Sequence, residues 1–282
     1  MPSEIDRTSA GADLATTNSQ QEPAVEFKRV WMGFDGHSVL HNISFTTQSG
    51  QMLILLGPAG GGKSILLKLC NGLMQPDRGS ICVFGQEVSS MAQEQLFVLR
   101  RDIGMVFQES ALFDSLSVRD NVAYRLREEG ESEQEINERV TESLRFVELE
   151  DAIDKFPAEL SGGMRRRVAI ARAIISHPKL LLYDSPTGGL DPITSTTIIE
   201  LVMKQRDVYN GTALLVTHRL QDAFMLATYR FNHQTNQRER VPGNGIDPHT
   251  TLMVLREGGI AFLGNLIELL RCEDPYIKEY LA

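Results

Sequence analysis

Long apolar runs are missing from this sequence. No stretch approaches the ~20 consecutive apolar residues of a membrane-crossing helix, so the chain is not expected to span a bilayer by itself. Cysteine is scarce: Cys70, Cys82 and Cys272 show no metal-ligand spacing and no even-numbered disulfide framework, which points to reduced thiols in a cytoplasmic compartment. Positive charge is in deficit. A net charge of -9, from 28 Lys+Arg against 37 Asp+Glu, argues against nucleic acid as the main partner. The opening MPSEIDRTSAGADLATTNSQQEP lacks the basic stretch and apolar run of a secretory signal. Its small, polar residues predict a disordered tail over 1–23. The rest is ordinary for a globular chain. At 282 residues and 42% hydrophobic it can bury a sizeable core, as one domain with lobes or two small domains.

AVEFKRVWM and VLHNISFTT flank the turn residue Gly36 and predict an antiparallel start. QMLILL reads as a short strand buried on both faces. SVRDNVAYRLREE, SEQEINERVTESLRFV and SGGMRRRVAIARAII place apolar residues at threes and fours, predicting three helices, with Ser117 and Ser161 as N-caps for two of them. Beyond them KLLLYD and TALLVTH read as strands around the helical ITSTTIIELVMKQRDVY. That alternation predicts a parallel α/β sheet with a helical insertion. The polar NHQTNQRERVPGNGIDPHT reads as an extended surface loop over 232–249, and NLIELLRCEDPYIKEYLA as two short helices broken before Pro275.

Between QMLILL and the next helix runs Gly57-Pro58-Ala59-Gly60-Gly61-Gly62-Lys63-Ser64-Ile65, which contains the P-loop pattern G-x-x-x-x-G-K-S. Its glycines let backbone N–H groups wrap phosphates, and the helix that follows presents its positive end to the same charge. Lys63 would reach the β- and γ-phosphates and the Ser64 hydroxyl would ligate Mg²⁺. Asp184, ending an apolar strand downstream, would hold the same ion's shell. Ser161, Gly162 and Gly163 precede a helix with an open, positive N-terminus, a second anion site. A chain with one complete phosphate cradle does not need another in the same pocket, so this loop is expected to face nucleotide held by another subunit.

With those motifs in that order, the chain resembles the nucleotide-binding subunit of ABC transporters from Val25 to Leu263. The resemblance implies an α/β fold: a P-loop NTPase (RecA-like) core sheet with an antiparallel β lobe and a helical signature-motif subdomain at about 112–176. It implies an ATP-binding domain over 24–264 and a C-terminal helical segment over 265–282. Residue by residue, Phe34 would stack on adenine, and Gln108 would contact Mg²⁺ and the attacking water. Ser161, Gly162, Gly163 and Met164 match the signature loop, with Met164 where glutamine is more frequent. Asp191 matches the loop that communicates across the dimer, and His218 the switch histidine at the γ-phosphate.

MVFQESALFDSLSVRDNVAYRLREE, LDPIT and DPYIKEYLA resemble more narrowly the Mla-type, lipid-trafficking ATPases. That branch implies ATP and Mg²⁺, a membrane permease, a second ATP-binding subunit (a homodimer), a substrate-binding protein of the Mce type and phospholipid or other apolar cargo. It implies a peripheral place on the cytoplasmic face of the inner membrane. One position departs from the family: the residue after Asp184, a glutamate that activates water, is Ser185 here. A positioned general base contributes about 10²–10⁴-fold in rate, and a serine hydroxyl is no base near neutral pH. Tight nucleotide binding with slow turnover is therefore expected. Two other readings stand beside the transport ATPase: an ATP-gated regulatory subunit impaired in hydrolysis, and a soluble ABC-type ATPase without a permease.

Overall fold

The computed structural model describes residues 22–282, so the tail expected over 1–23 lies outside the described residues except for Glu22 and Pro23. An antiparallel hairpin comes first. β1 (Val25–Phe34) and β2 (His37–Thr47) are joined by Asp35 and Gly36, at φ of 50° and 80°. Positive φ at both turn residues matches the twist of the strands, which an Asp-Gly pair accommodates readily. β3 (Met52–Leu56) is buried along its whole length and leads through the glycine loop into α1 (Lys63–Cys70). β4 (Arg78–Val83) and β5 (Gln86–Glu87) complete a four-stranded antiparallel sheet of order β2-β1-β4-β5. After α2 (Gln93–Leu99) comes β6 (Ile103–Val106).

The helical block is α3 (Val118–Glu128), α4 (Glu133–Phe146) and α5 (Gly162–Ile174). Each begins at a serine, Ser117, Ser132 and Ser161, whose side-chain oxygen accepts from a backbone N–H three residues on. Such caps satisfy one of the four N–H groups that a helix start leaves free. The chain then runs through β7 (Leu180–Asp184), α6 (Pro192–Tyr209), β8 (Thr212–Val216) and α7 (Leu220–Thr228). Beyond them lie β9 (Tyr229–Asn232), β10 (Gln237–Arg240), β11 (Thr250–Arg256), β12 (Gly259–Gly264), α8 (Leu266–Leu270) and α9 (Pro275–Leu281).

The central sheet has the order β12-β11-β3-β8-β7-β6, parallel throughout except for the edge strand β12. Alternate residues of one strand feed opposite layers. Ile54 and Leu56 join the core shared with α3–α7, whereas Leu53 and Leu55 join the core shared with α1 and the antiparallel sheet. A strand buried on both faces needs this two-sided cover. Among the described residues no helix is long and apolar enough to cross a membrane.

The stretch expected as an extended loop over 232–249 is only partly so. β9 and β10 pair as an antiparallel hairpin, with Asn232 opposite Gln237 and Tyr229 opposite Arg240. The Asn232 side-chain oxygen accepts from the Gln234 and Thr235 N–H groups and shapes the turn, while Asp207 on α6 accepts from the Phe231 N–H at 2.6 Å. These anchors, rather than apolar alternation, hold the polar strand QRER in place.

Candidate functional site

Four parallel strands end on one edge of the sheet in register: Leu55 lies opposite Val216, Val216 opposite Asp184, and Tyr183 opposite Val106. Neighbouring strands stand about 4.8 Å apart, so the segments that leave them share one crevice. Residues 57–64 follow β3, 217–218 follow β8, 185–189 follow β7, and 107–109 follow β6. Open α/β sheets bind ligands in this place.

The glycine loop is shaped by positive φ at Gly57 (141°), Gly60 (75°) and Gly62 (84°). A Cβ at Gly57 would stand 2.8 Å from the Leu255 carbonyl oxygen, and one at Gly62 would stand 2.6 Å from Leu40 Cδ2. At Gly60, by contrast, a Cβ would meet nothing within 4 Å, so the loop is open where a ligand would approach. Lys63 is buried, its Nζ donating to the Gly57 and Pro58 carbonyls at 2.9 and 2.7 Å. Burial pushes its pKa below the usual lysine value, opposed by the nearby Asp184 carboxylate. Ser64 Oγ donates to Asp184 Oδ1 at 2.7 Å. Two hard oxygen donors already in hydrogen-bond contact, beside an open cradle of N–H groups, fit a magnesium–nucleotide group. The cradle also has an anchor from the far end of the chain, since the Gly57 N–H donates to Tyr280 Oη on α9 at 3.0 Å.

Ser185 sits at φ 48°, its N–H donating to the Val216 carbonyl and its carbonyl accepting from the Gly188 N–H, both at 2.9 Å. A Cβ placed on Gly188 would lie 3.5 Å from Ser185 Cβ and 3.6 Å from Gln108 Cγ. The Ser185 and Gln108 side chains therefore flank one gap, next to the hydrogen-bonded Ser64–Asp184 pair. His218 stands exposed past the end of β8, behind the buried Thr217. The Thr217 N–H donates to the Leu55 carbonyl at 3.1 Å, and its hydroxyl to Asp222 at 3.0 Å. Asp222 also accepts from Thr187 and pairs with Arg219 at 3.4 Å, tying the His218 segment to the turn after Ser185.

The signature candidates form a second group. Ser161 Oγ accepts from the Met164 N–H at 3.2 Å, and Ser161 and Gly162 are exposed. A Cβ at Gly163 would stand 2.4 Å from Thr194 Cγ2, so only glycine allows α5 this close to α6. Met164 turns partly into the core and Gly163 packs on Thr194, which leaves Ser161 and Gly162 as the outward face. Asp191 caps α6, accepting from the Ile193 and Thr194 N–H groups at 3.0 Å each. Bonding to Thr194 holds its carboxyl below the usual range. Phe34 stays apart from both groups. It is 42% exposed at the end of β1, on the hairpin whose Leu40 and Val39 press against Gly62. Sequence reasoning missed Arg166, Thr187, Asp222 and Tyr280. None stands in a local pattern of its own, and each acts on a partner at least 22 residues away or through a loop that only the fold brings close.

The family model for the ABC transporter matches residues 40–188. The chain is 35% identical over 269 residues to the protein trigalactosyldiacylglycerol 3, chloroplastic, of Arabidopsis thaliana, covering 91% of this chain and 72% of that one. It is 37% identical over 259 residues to the probable ribonucleotide transport ATP-binding protein mkl of Mycobacterium leprae, covering 92% and 68%. Among solved structures, the dimeric post-hydrolysis state of the ATP-binding cassette MJ0796, bound to ADP and Pi, superposes with a TM-score of 0.73. It is 27% identical to this chain, over 86% of this chain and 98% of that one.

Proposed function

Because this chain belongs to the ABC transporter family, we propose that it is the ATP-binding subunit that couples ATP binding and hydrolysis to a membrane permease carrying phospholipid or another apolar cargo. The observation that carries the ATPase part is the Ser64–Asp184 contact at 2.7 Å beneath the open glycine cradle. Lys63 leaves the Gly57 and Pro58 carbonyls to meet the β- and γ-phosphates, a more favourable partner for a buried ammonium than a neutral carbonyl. Ser64, Asp184 and Gln108 would hold Mg²⁺, and a bound Mg²⁺ would supply charge stabilisation to the terminal phosphates. Phe34 stacks on the base, and Gln108 and His218 orient the attacking water and the terminal phosphate.

Two copies associate head to tail, so that Ser161, Gly162 and Gly163 of one close on nucleotide in the cradle of the other, with Asp191 at the seam. The exposed loop at a helix N-terminus supports this arrangement, because its N–H groups and dipole favour an anion. The lipid reading is supported by the name of the Arabidopsis relative and by the Mla-type motifs; the mycobacterial relative's name points instead to ribonucleotides. An Mce-type substrate-binding protein and a site at the cytoplasmic face of the membrane belong to the lipid reading.

A second reading, an ATP-gated subunit with little hydrolysis, is favoured by one observation. Ser185, whose Cβ borders the gap it shares with Gln108, offers a hydroxyl and no carboxylate. Steady-state ATPase activity of the chain with its permease, beside Ser185→Glu and Lys63→Ala, separates the two. Turnover well above the Lys63→Ala background supports the transport ATPase and places water without a carboxylate. Silence in the native chain with activity gained in Ser185→Glu, by ~10²-fold or more for a restored base, supports the ATP-gated reading.

A further inference from the structure

Arg166, on the helix that carries the signature loop, is 4% exposed yet makes no hydrogen bond to a carboxylate. Its Nη1 donates to the Phe107 carbonyl at 2.7 Å and its Nη2 reaches the Gly188 carbonyl at 3.4 Å; among the described residues Nε has no partner. Burial works against its charge, while the Glu109 and Asp184 carboxylates, at longer range, work in its favour. A buried guanidinium with incomplete partners is a poor way to stabilise a fold, since an apolar chain of similar volume fills such a place at lower cost. Its two acceptors, however, are chosen pointedly. Phe107 precedes Gln108, and Gly188 closes the turn that begins at Ser185.

We propose that Arg166 is a positioning residue for the ATPase reaction: it fixes the Gln108 segment and the Ser185–Gly188 turn to each other and to the helix behind the signature loop. Arg172, six residues further along α5, supports it from the other side by donating to the Ser110 and Ala111 carbonyls at 3.0 and 2.8 Å. Gln108 is thus held before and after by arginines of one helix. The held segment needs holding, because Ser110 and Ala111 sit at φ 63° and 46°, a region costly for residues with a Cβ. Without a glutamate at 185, water placement depends on Gln108 and on the backbone of this turn. A displacement of ~1 Å in such a place costs on the order of 10²-fold in rate.

The kinetic part of this inference rests on the ATPase reading above, so its test has a second readout free of turnover. Arg166→Met and Arg166→Lys are compared with the native chain by hydrogen–deuterium exchange and by steady-state ATPase kinetics. Arg166→Met is expected to raise amide exchange in both 107–111 and 185–190 while 55–66 stays at the native level. Its kcat falls by about tenfold or more with KM nearly unchanged, the mark of an interaction used in the transition state. Arg166→Lys, which keeps one cationic donor, recovers part of both effects. Exchange that rises in only one segment, or in neither, overturns the proposal. So does a general rise across α5 and the glycine loop, which would make Arg166 a plain structural residue. If the native chain turns over no faster than Lys63→Ala, the ATPase reading fails by itself and the exchange pattern alone decides for or against Arg166.

Discussion

Lys63, the proposed phosphate-binding residue, is held in the glycine loop at a cost to the empty protein. Its ammonium is buried against two neutral carbonyls, and the resulting pKa lies below the usual lysine value. The unfolded chain therefore holds more protons than the folded one between the folded pKa and the ordinary value near 10.5. Stability lost to this buried charge is lost in full below that window, and recovers as pH rises through it. Lys63→Met keeps the apolar stem and removes the charge. The expected result is an unliganded Tm that rises at pH 7 and no longer gains from this window, followed by thermal melts from pH 7 to 10. Affinity for MgATP, read by titration of a fluorescent nucleotide, falls by at least about tenfold, because a hydrogen bond to a charged group is worth about 1.5–3 kcal/mol. This residue and its loop were legible from G-x-x-x-x-G-K-S alone, since the chemistry is local. Arg166 was not legible: its acceptors lie 59 and 22 residues away, and nothing near it in sequence distinguishes it from Arg165 or Arg167.

Helix α5 links the proposed signature loop to the segment around Gln108. Its first turn carries the signature loop, and its middle anchors the segment around Gln108. The Ser161 cap sets where that helix begins. Ser161→Ala removes the bond to the Met164 N–H and is expected to cost about 1 kcal/mol, a fall in Tm of roughly 2–4 °C for a domain of this size class. Differential scanning calorimetry checks it, with Ser161→Asn, another good cap, staying near the native value. The elements that periodicity announced (β3, α3, α5, β7 and β8) are those whose buried faces are apolar and regular. The β9–β10 hairpin escaped because its strands are polar and only half buried, and its register comes from Asn232 and Asp207 rather than from an apolar face. Strand β4, RGSICV, also went unread, although its buried Ile81 and Val83 alternate with outward residues and complete the antiparallel sheet against β1.

Taken alone, one chain holds half of each proposed reaction site. The glycine cradle and the Ser64–Asp184 pair lie at the end of the parallel strands, while the outward signature loop has Leu190 and Thr194 as its close neighbours. Two copies would complete two sites, each with the cradle of one and the signature loop of the other. Mixing variants tests that geometry without a structure of the complex. Lys63→Ala disables the cradle and spares the signature loop. Gly162→Asp does the reverse, and the backbone leaves room for its Cβ, whose nearest neighbour would be Leu190 Cδ2 at 3.6 Å. An acidic residue at a helix start favours the helix while repelling phosphate, so folding is expected to survive. Neither variant has a working site by itself. An equal mixture pairs at random, half of the pairs are mixed, and each mixed pair has one competent site of two. ATPase activity, in the Ser185→Glu background if the native turnover is slow, is expected to recover to roughly a quarter of the parent's. A mixture as silent as its components would mean that each chain completes its site without the other, and the head-to-tail arrangement would have to be given up.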